Sequence, residues 1–216
     1  MKKQFENQEK RSYSFDICAK NDEKNGNFVE GTPIVFNQRT DLGMFDEIIA
    51  PEALSKTNFK DVRFLVNHNT EMIPLARSRN NNENSTMQMQ ICEDGLKIRV
   101  NLDTENNSEA RNLYSAINRG DVSGMSFMFT VRGDSWDWTN EEHPTRTITD
   151  IEQVFEVSAV TFPAYEQTDI SARAKEQLES CKNLLENRKK TEAENLKKIQ
   201  KEMDERNRKI TLLELN

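Results

Sequence analysis

After "FPAYEQTDI", at positions 162–170, the chain contains no further aromatic residue, glycine or proline, and residues 172–216 are mostly Glu, Lys, Arg, Asn and Leu. Aromatic and branched apolar side chains supply most of the area a domain can bury, so any compact core must come from what precedes this point. With 216 residues, 35% hydrophobic and 31% charged, there is material for one ordinary domain and an appendage rather than two cores. The expected organisation is a flexible lead over 1–10, a globular domain over 11–170 and a charged helical tail over 171–216. In the tail, Leu178, Cys181, Leu185 and then Leu196, Ile199, Met203, Ile210 and Leu213 keep three-four spacing, interrupted by Arg188 and Glu192. This predicts an amphipathic helix or imperfect coiled coil that docks on a partner, or a segment that orders on binding.

Net charge is −7, unevenly spread. The stretch from Ser171 to Asn216 holds 12 Lys+Arg against 9 Asp+Glu, which leaves −10 on residues 1–170. An acidic body without a basic, aromatic-interleaved stripe is a poor match for phosphate backbones, so no nucleic-acid partner is expected. Nor is a membrane expected: "MKKQFENQEKRSYSF" has no apolar run behind its lysines, and no stretch of 18 apolar residues occurs. Cys18, Cys92 and Cys181 are odd in number and far apart, which suits a reducing cytoplasm rather than a disulfide framework. Two separated histidines and these cysteines offer no ligand cluster, and no phosphate loop occurs, so neither metal nor cofactor is expected.

Between residues 10 and 170 the period-two signal dominates. "SYSFDICA" alternates Tyr13, Phe15, Ile17 and Ala19 against polar neighbours; "TPIVF" and "VRFLV" are short strand-like runs. "MQMQICEDGLKIRVNL" predicts a hairpin turning at Asp94–Gly95, with Leu96, Ile98, Val100 and Leu102 on one face. Two helices are expected, one at "PEALSK" with Pro51 in its first turn and one across "SEARNLYSAINRG", ended by Gly120. "GMSFMFTV" is expected to pair with "VFEVSAVTF". The fold class is therefore mainly β (α+β), a closed or nearly closed barrel flanked by a few helices, plus the C-terminal helical tail.

Three polar residues sit where apolar ones are expected. Ser126 lies within "DVSGMSFMFTV"; on a pleated strand Met125, Phe127, Phe129 and Val131 share one face, and Gly124, Ser126, Met128 and Thr130 share the other. Gly124 inside a strand signals close approach of another backbone or of an extended peptide. His68 follows "VRFLV" directly, where a scaffold can hold a side chain at the rim of a cleft. Glu156, between Phe155 and Val157, needs a donor if it is buried, and an imidazole N–H would serve, fixing the ring tautomer in return. Asp150 and Glu152 stand in for Glu156 if the strand phase is shifted. His143, in "NEEHPTR", belongs to a polar loop, and Ser123 falls on the opposite strand face from Ser126.

Together these blocks resemble the tailed-phage prohead maturation proteases, serine peptidases similar in fold to herpesvirus assemblin. The resemblance runs in order through "GTPIVFNQRTDLGMFDEIIAPEAL", "FLVNHNTEMIPLARS", "EDGLKIRVNLD", "NRGDVSGMSFMF" and "FEVSAVTFPAY". It implies His68 in the "VNH" pattern as general base, Ser126 in the "GMSFGF"-like pattern as nucleophile and Glu156 in "EVS" as the acid that orients the base. Met128 stands where a glycine is usual, and Ala76 where "LGR" is common; both bear on the width of the substrate groove. Oxyanion donors would be backbone amides near Gly124 and Met128, or Arg77. A histidine base must be neutral, so activity is expected to fall on the acid side. The implied task is endoproteolysis of scaffold and major capsid protein, and of the enzyme itself, inside the assembling procapsid in the host cytoplasm, with self-association a further expectation. The competing class is a non-catalytic assembly factor with a β docking domain and helical tail.

Overall fold

The computed structural model describes residues 8–13, 17–22, 26–162 and, except for 181, 184, 185, 188 and 202, residues 178–203. The chain divides into two compact units, Met1–Ser171 and Ala172–Asn216. The first holds eleven described strands, β1 (Glu9–Tyr13), β2 (Cys18–Asp22), β3 (Gly26–Val35), β4 (Thr40–Asp41), β5 (Asp46–Ile49), β6 (Asp61–Val66), β7 (Ala76–Arg79), β8 (Met87–Cys92), β9 (Gly95–Asn101), β10 (Gly124–Asp137) and β11 (Thr145–Val160). Its described residues also hold one α-helix, α1 (Ser108–Asn118). In the second unit the described residues are helical, with Leu178 buried and Leu196, Ile199 and Met203 exposed; Cys181, Leu185, Ile210 and Leu213 lie outside the described residues. Among the described residues no helix is long and apolar enough to cross a membrane.

The long strand β11 organises the larger sheet. Its first half pairs in parallel with β5 (Thr145↔Asp46 to Ile148↔Ile49) and its second half with β6 (Glu156↔Arg63 to Ala159↔Val66), while β10 runs antiparallel along its other edge. β1 closes the free edge of β10, β4 that of β5 and β7 that of β6, giving seven strands. A strand flanked on both edges and covered on both faces reads as a continuous apolar run, and Val157, Ala159 and Val160 are buried accordingly. The smaller sheet runs β2-β3-β9-β8. Phe64, Phe127, Phe129, Ile151 and Val154 from the first sheet and Val29, Ile34, Leu96, Ile98 and Val100 from the second belong to one core. The interior face of β10 is the predicted one, but its other face is buried as well, from Gly124 through Met128.

The fold is mainly β with few helices, but no closed barrel is found among the described residues. At the seam where β7 would have to pair with β8, side chains take the backbone groups that a ladder would use. Arg77 N–H donates to Thr86 Oγ1 (2.8 Å), Arg79 N–H to Ser85 Oγ (2.9 Å) and Met89 N–H to Asn81 Oδ1 (2.8 Å). These donors are satisfied locally, so nothing drives strand pairing across the gap.

Other expectations shift by a residue or an element. "SYSFDICA" is not one strand: β1 and β2 belong to different sheets on either side of residues 14–16. β1 begins at Glu9, within the stretch expected to be a flexible lead. The turn of the β8–β9 hairpin is Glu93–Asp94, with Gly95 already opposite Cys92. Glycine is required there for a different reason, since an added Cβ would sit 2.0 Å from the Ile34 carbonyl oxygen of the adjoining strand. "PEAL" forms a 3-10 turn rather than an α-helix. α1 starts where predicted, with Asn107 Oδ1 accepting from the Glu109 and Ala110 N–H groups, and Gly120 follows it at φ 81.

Candidate active site

Three adjacent strands build the site on one sheet face. Ser126 on β10 lies directly opposite Ser158 on β11, and Glu156 lies two residues earlier on the same face. His68 is beyond the end of β6. Asn67 and His68 both adopt left-handed backbone (φ 50 and 55), which turns the chain back over the sheet so that the imidazole returns above β10 and β11. Two consecutive non-glycine residues in that region cost of order 1–3 kcal/mol each and persist only where the surroundings fix them. Here Asn67 N–H donates to Ala159 O (3.0 Å), Thr161 N–H donates to Asn67 Oδ1 (2.9 Å), and Asn69 N–H closes back on Val66 O (3.0 Å).

The geometry is a connected chain of short polar contacts in a dry environment. His68 Nδ1 lies 2.5 Å from Glu156 Oε1, and His68 Nε2 lies 2.6 Å from Ser126 Oγ. All three residues are buried, Ser126 completely. A carboxylate facing Nδ1 holds the proton there and leaves the Nε2 lone pair aimed at the serine hydroxyl. The second carboxylate oxygen accepts from Ser158 Oγ–H (2.5 Å), and Ser158 Oγ in turn accepts from the His68 backbone N–H (3.1 Å). Ser158 was not singled out from the sequence. Its one signal was its place two residues after Glu156, hence on the same strand face.

β1 completes the surroundings on the far side of Ser126. Ser12 is paired with Ser126 across the ladder; its hydroxyl donates to Ser126 Oγ (2.9 Å), and Ser126 Oγ–H reaches Arg11 O at 2.7 Å. One hydroxyl hydrogen cannot serve His68 Nε2 and Arg11 O together. Beneath β1 lies a buried ion cluster that the sequence analysis also missed. Arg11 binds Glu47 through two parallel bonds (Nε to Oε1 2.5 Å, Nη2 to Oε2 2.7 Å), and Arg146 binds Glu9 (2.8 Å), Glu47 (3.1 Å) and Asp134 (2.6 Å). Burial disfavours the Arg146 charge, but bonds to Glu9 and the charges of Glu9 and Glu47 outweigh it, so the guanidinium is held even more firmly protonated than usual.

Of the remaining candidates, Met128 is buried opposite Glu156, and the two line a cavity of ≈ 480 Å³ with Leu65, Met72, Pro74 and Phe155. Gly124 opens β10, buried and paired with Val160. Arg77 is not brought to the group. It stands on β7, three strands from β10, roughly 14 Å at ~4.8 Å per strand, and its guanidinium is bonded to Asp61 (2.6 and 2.8 Å). That pair holds the Asp61 carboxyl below the usual aspartate range and raises the Arg77 guanidinium. Asp150 pairs with Arg132, Glu152 is exposed, and Ser123 is exposed ahead of β10. His143 is half-buried, with Nε2 3.1 Å from Asp46 and 3.7 Å from Asp41, and Arg39 pairs with Asp46 at 2.9 Å.

A serine hydroxyl, an imidazole and a carboxylate in line, buried beside a strand edge, have the arrangement of a serine peptidase centre. The comparisons with known proteins agree: the chain matches the Caudovirus prohead serine protease family over residues 15–183, and it belongs to that family. It is 33% identical over 169 residues to the prohead protease of Enterobacteria phage HK97, covering 75% of this chain and 68% of that protein. A looser likeness joins it to the bacteriophage T4 capsid assembly protease gp21, with a TM-score of 0.42, 11% identity, 71% of this chain and 97% of that one. The protein is thus a serine peptidase of viral procapsid maturation, and the non-catalytic alternative gives way.

Proposed function

We propose that Ser126 is the nucleophile, His68 the general base and Glu156 the group that orients the base, in an endopeptidase acting on scaffold and major capsid protein. The observation that carries this assignment is the unbroken path Glu156–His68–Ser126, at 2.5 and 2.6 Å, from residues far apart in sequence. Ser126 Oγ attacks the peptide carbonyl as its proton passes to His68 Nε2; the imidazolium is stabilised by Glu156 and then protonates the leaving amine. Water repeats the cycle on the acyl-enzyme. Ser158 keeps the carboxylate in place. The developing oxyanion falls to backbone N–H groups at the β10 edge, because Arg77 is engaged by Asp61. Met128 and Gly124 shape the groove.

The catalytic domain comprises residues 11–170, to which β1 adds Glu9 and Lys10. We read the architecture as a variant of the assemblin fold left open at the β7–β8 seam. The enzyme works inside the assembling procapsid within the host cytoplasm, without nucleic acid or membrane as partner, and the tail docks on scaffold or shell, by self-association or directly. Co-expression with the capsid and scaffold proteins tests this: wild type is expected to shorten them, and shortening of equal extent by Ser126→Ala would refute the nucleophile assignment.

A further inference from the structure

Ser126 is completely buried, between the His68 imidazole and β1, which pairs along the edge of its strand. One edge of β10 is taken by β11, so an extended peptide that adds to this strand can lie only along the other edge, where Glu9–Tyr13 lies. The segment is seated as a substrate would be. It is antiparallel and in continuous register from Glu9↔Phe129 to Tyr13↔Met125, and the carbonyl it brings to the nucleophile, at 2.7 Å, is that of Arg11. The Arg11 side chain leaves on the opposite face into a closed acidic site, where Glu47 accepts both of its parallel bonds and Phe129 lies 5.6 Å beneath its guanidinium carbon. Glu47 is almost fully buried and belongs to β5, so the body of the domain supplies the two parallel bonds, while Glu9 of the segment itself adds a further contact to Arg11 Nη2 (2.5 Å).

We propose that β1 is the enzyme's own first substrate, that the bond cut is Arg11–Ser12, and that Glu47 selects a basic side chain on the acyl side of the cleaved bond. This rests on Ser126 being the nucleophile. In the resting pose the hydroxyl faces the Arg11 carbonyl oxygen; attack needs a small rotation that presents the carbon and gives the hydroxyl hydrogen back to His68 Nε2. Ser126 Oγ then bonds to the Arg11 carbonyl carbon, its proton goes to His68, and the Arg11–Ser12 C–N bond breaks as that proton reaches the Ser12 nitrogen. Water hydrolyses the Arg11 ester, restoring Ser126 and leaving an Arg11 carboxylate and a new amino terminus at Ser12. A tethered strand is present at high effective concentration, so the cut in cis precedes any cut in trans. The vacated groove then takes other chains that present arginine or lysine at the same place.

The test uses the full chain co-expressed with its capsid and scaffold proteins, read by intact mass and amino-terminal sequencing. Wild type is expected to accumulate a form beginning at Ser12, and Ser126→Ala to remain whole. Arg11→Gln should slow that release by roughly 10- to 100-fold, the worth of a hydrogen bond to a charged group, while Arg11→Lys retains it. In either Arg11 variant Arg146 still bonds Glu9 and Glu47, and urea denaturation of each measures what the fold itself loses. Wild type that shortens the capsid or scaffold protein while its own Arg11–Ser12 bond stays intact would overturn the proposal, leaving β1 as a permanent edge strand; so would release at the wild-type rate by Arg11→Gln. Processing by Ser126→Ala would instead refute the underlying nucleophile assignment.

Discussion

Ser158→Ala isolates the part of the site that touches no substrate. The hydroxyl donates to Glu156 Oε2 at 2.5 Å and accepts from His68 N–H at 3.1 Å, at a position with no solvent exposure, so water cannot replace it. A bond to a charged group is worth about 1.5–3 kcal/mol and a neutral one about 0.5–1.5, so the variant should lose about 2–4 kcal/mol of stability. The catalytic effect is narrower. A carboxylate freed at one oxygen no longer fixes the imidazole, and if the charge-assisted bond is felt mainly as His68 becomes imidazolium, kcat falls by roughly 10- to 100-fold. KM should stay close to wild type, because Ser158 makes no contact in the substrate groove. Urea denaturation gives the first quantity, and steady-state cleavage of a capsid-derived peptide gives the second. A variant that is destabilised as expected but keeps wild-type kcat would show that Ser158 serves packing alone and that Glu156 needs no support from it.

Removing Arg146 as Arg146→Met leaves the buried carboxylates of Glu9 and Glu47 to share the Arg11 guanidinium, and should cost about 3–5 kcal/mol by chemical denaturation, with Arg146→Lys intermediate. Gly95→Ala forces a Cβ into the Ile34 carbonyl and should lower stability by about 1–3 kcal/mol through displacement of the hairpin. Arg77 holds the Asp61 carboxyl below its ordinary value, so the pair's contribution is complete above about pH 4 and is lost as pH falls through the lowered value. Asp61→Asn should therefore flatten the acid limb of a Tm–pH curve slightly, an effect that salt diminishes because the pair is half-exposed.

The three residues proposed for catalysis were legible as a group apart because each breaks a local rule. Ser126 and Glu156 interrupt apolar strand runs, and His68 terminates one, so burial could be inferred from neighbours alone. Ser158 breaks nothing, since a serine in a strand is ordinary until its partner is known. Glu47 and Arg146, far apart in sequence, read singly as solvent-facing charges; only the parallel pairing of β5 and β11, which sets them opposite each other, and the bonds from Glu9 and Arg11 of β1 show them as an interior cluster. The alternation in "SYSFDICA" carried no break, so the passage from one sheet to the other was invisible in the pattern. The open seam between β7 and β8 was hidden for a similar reason. It depends on Asn81, Ser85 and Thr86 turning their oxygens onto nearby backbone donors, a choice made by three-dimensional proximity rather than by propensity.

The most direct test of the central claim is to combine the capsid and scaffold proteins with wild type, Ser126→Ala, His68→Ala and Glu156→Ala, each shown to be folded, and to follow substrate mass against time. The account predicts cleavage by wild type, none by the serine variant and loss of about 10²–10⁴ in rate for the histidine variant, with the glutamate variant also impaired. Undiminished cleavage at the same bonds by Ser126→Ala would contradict it.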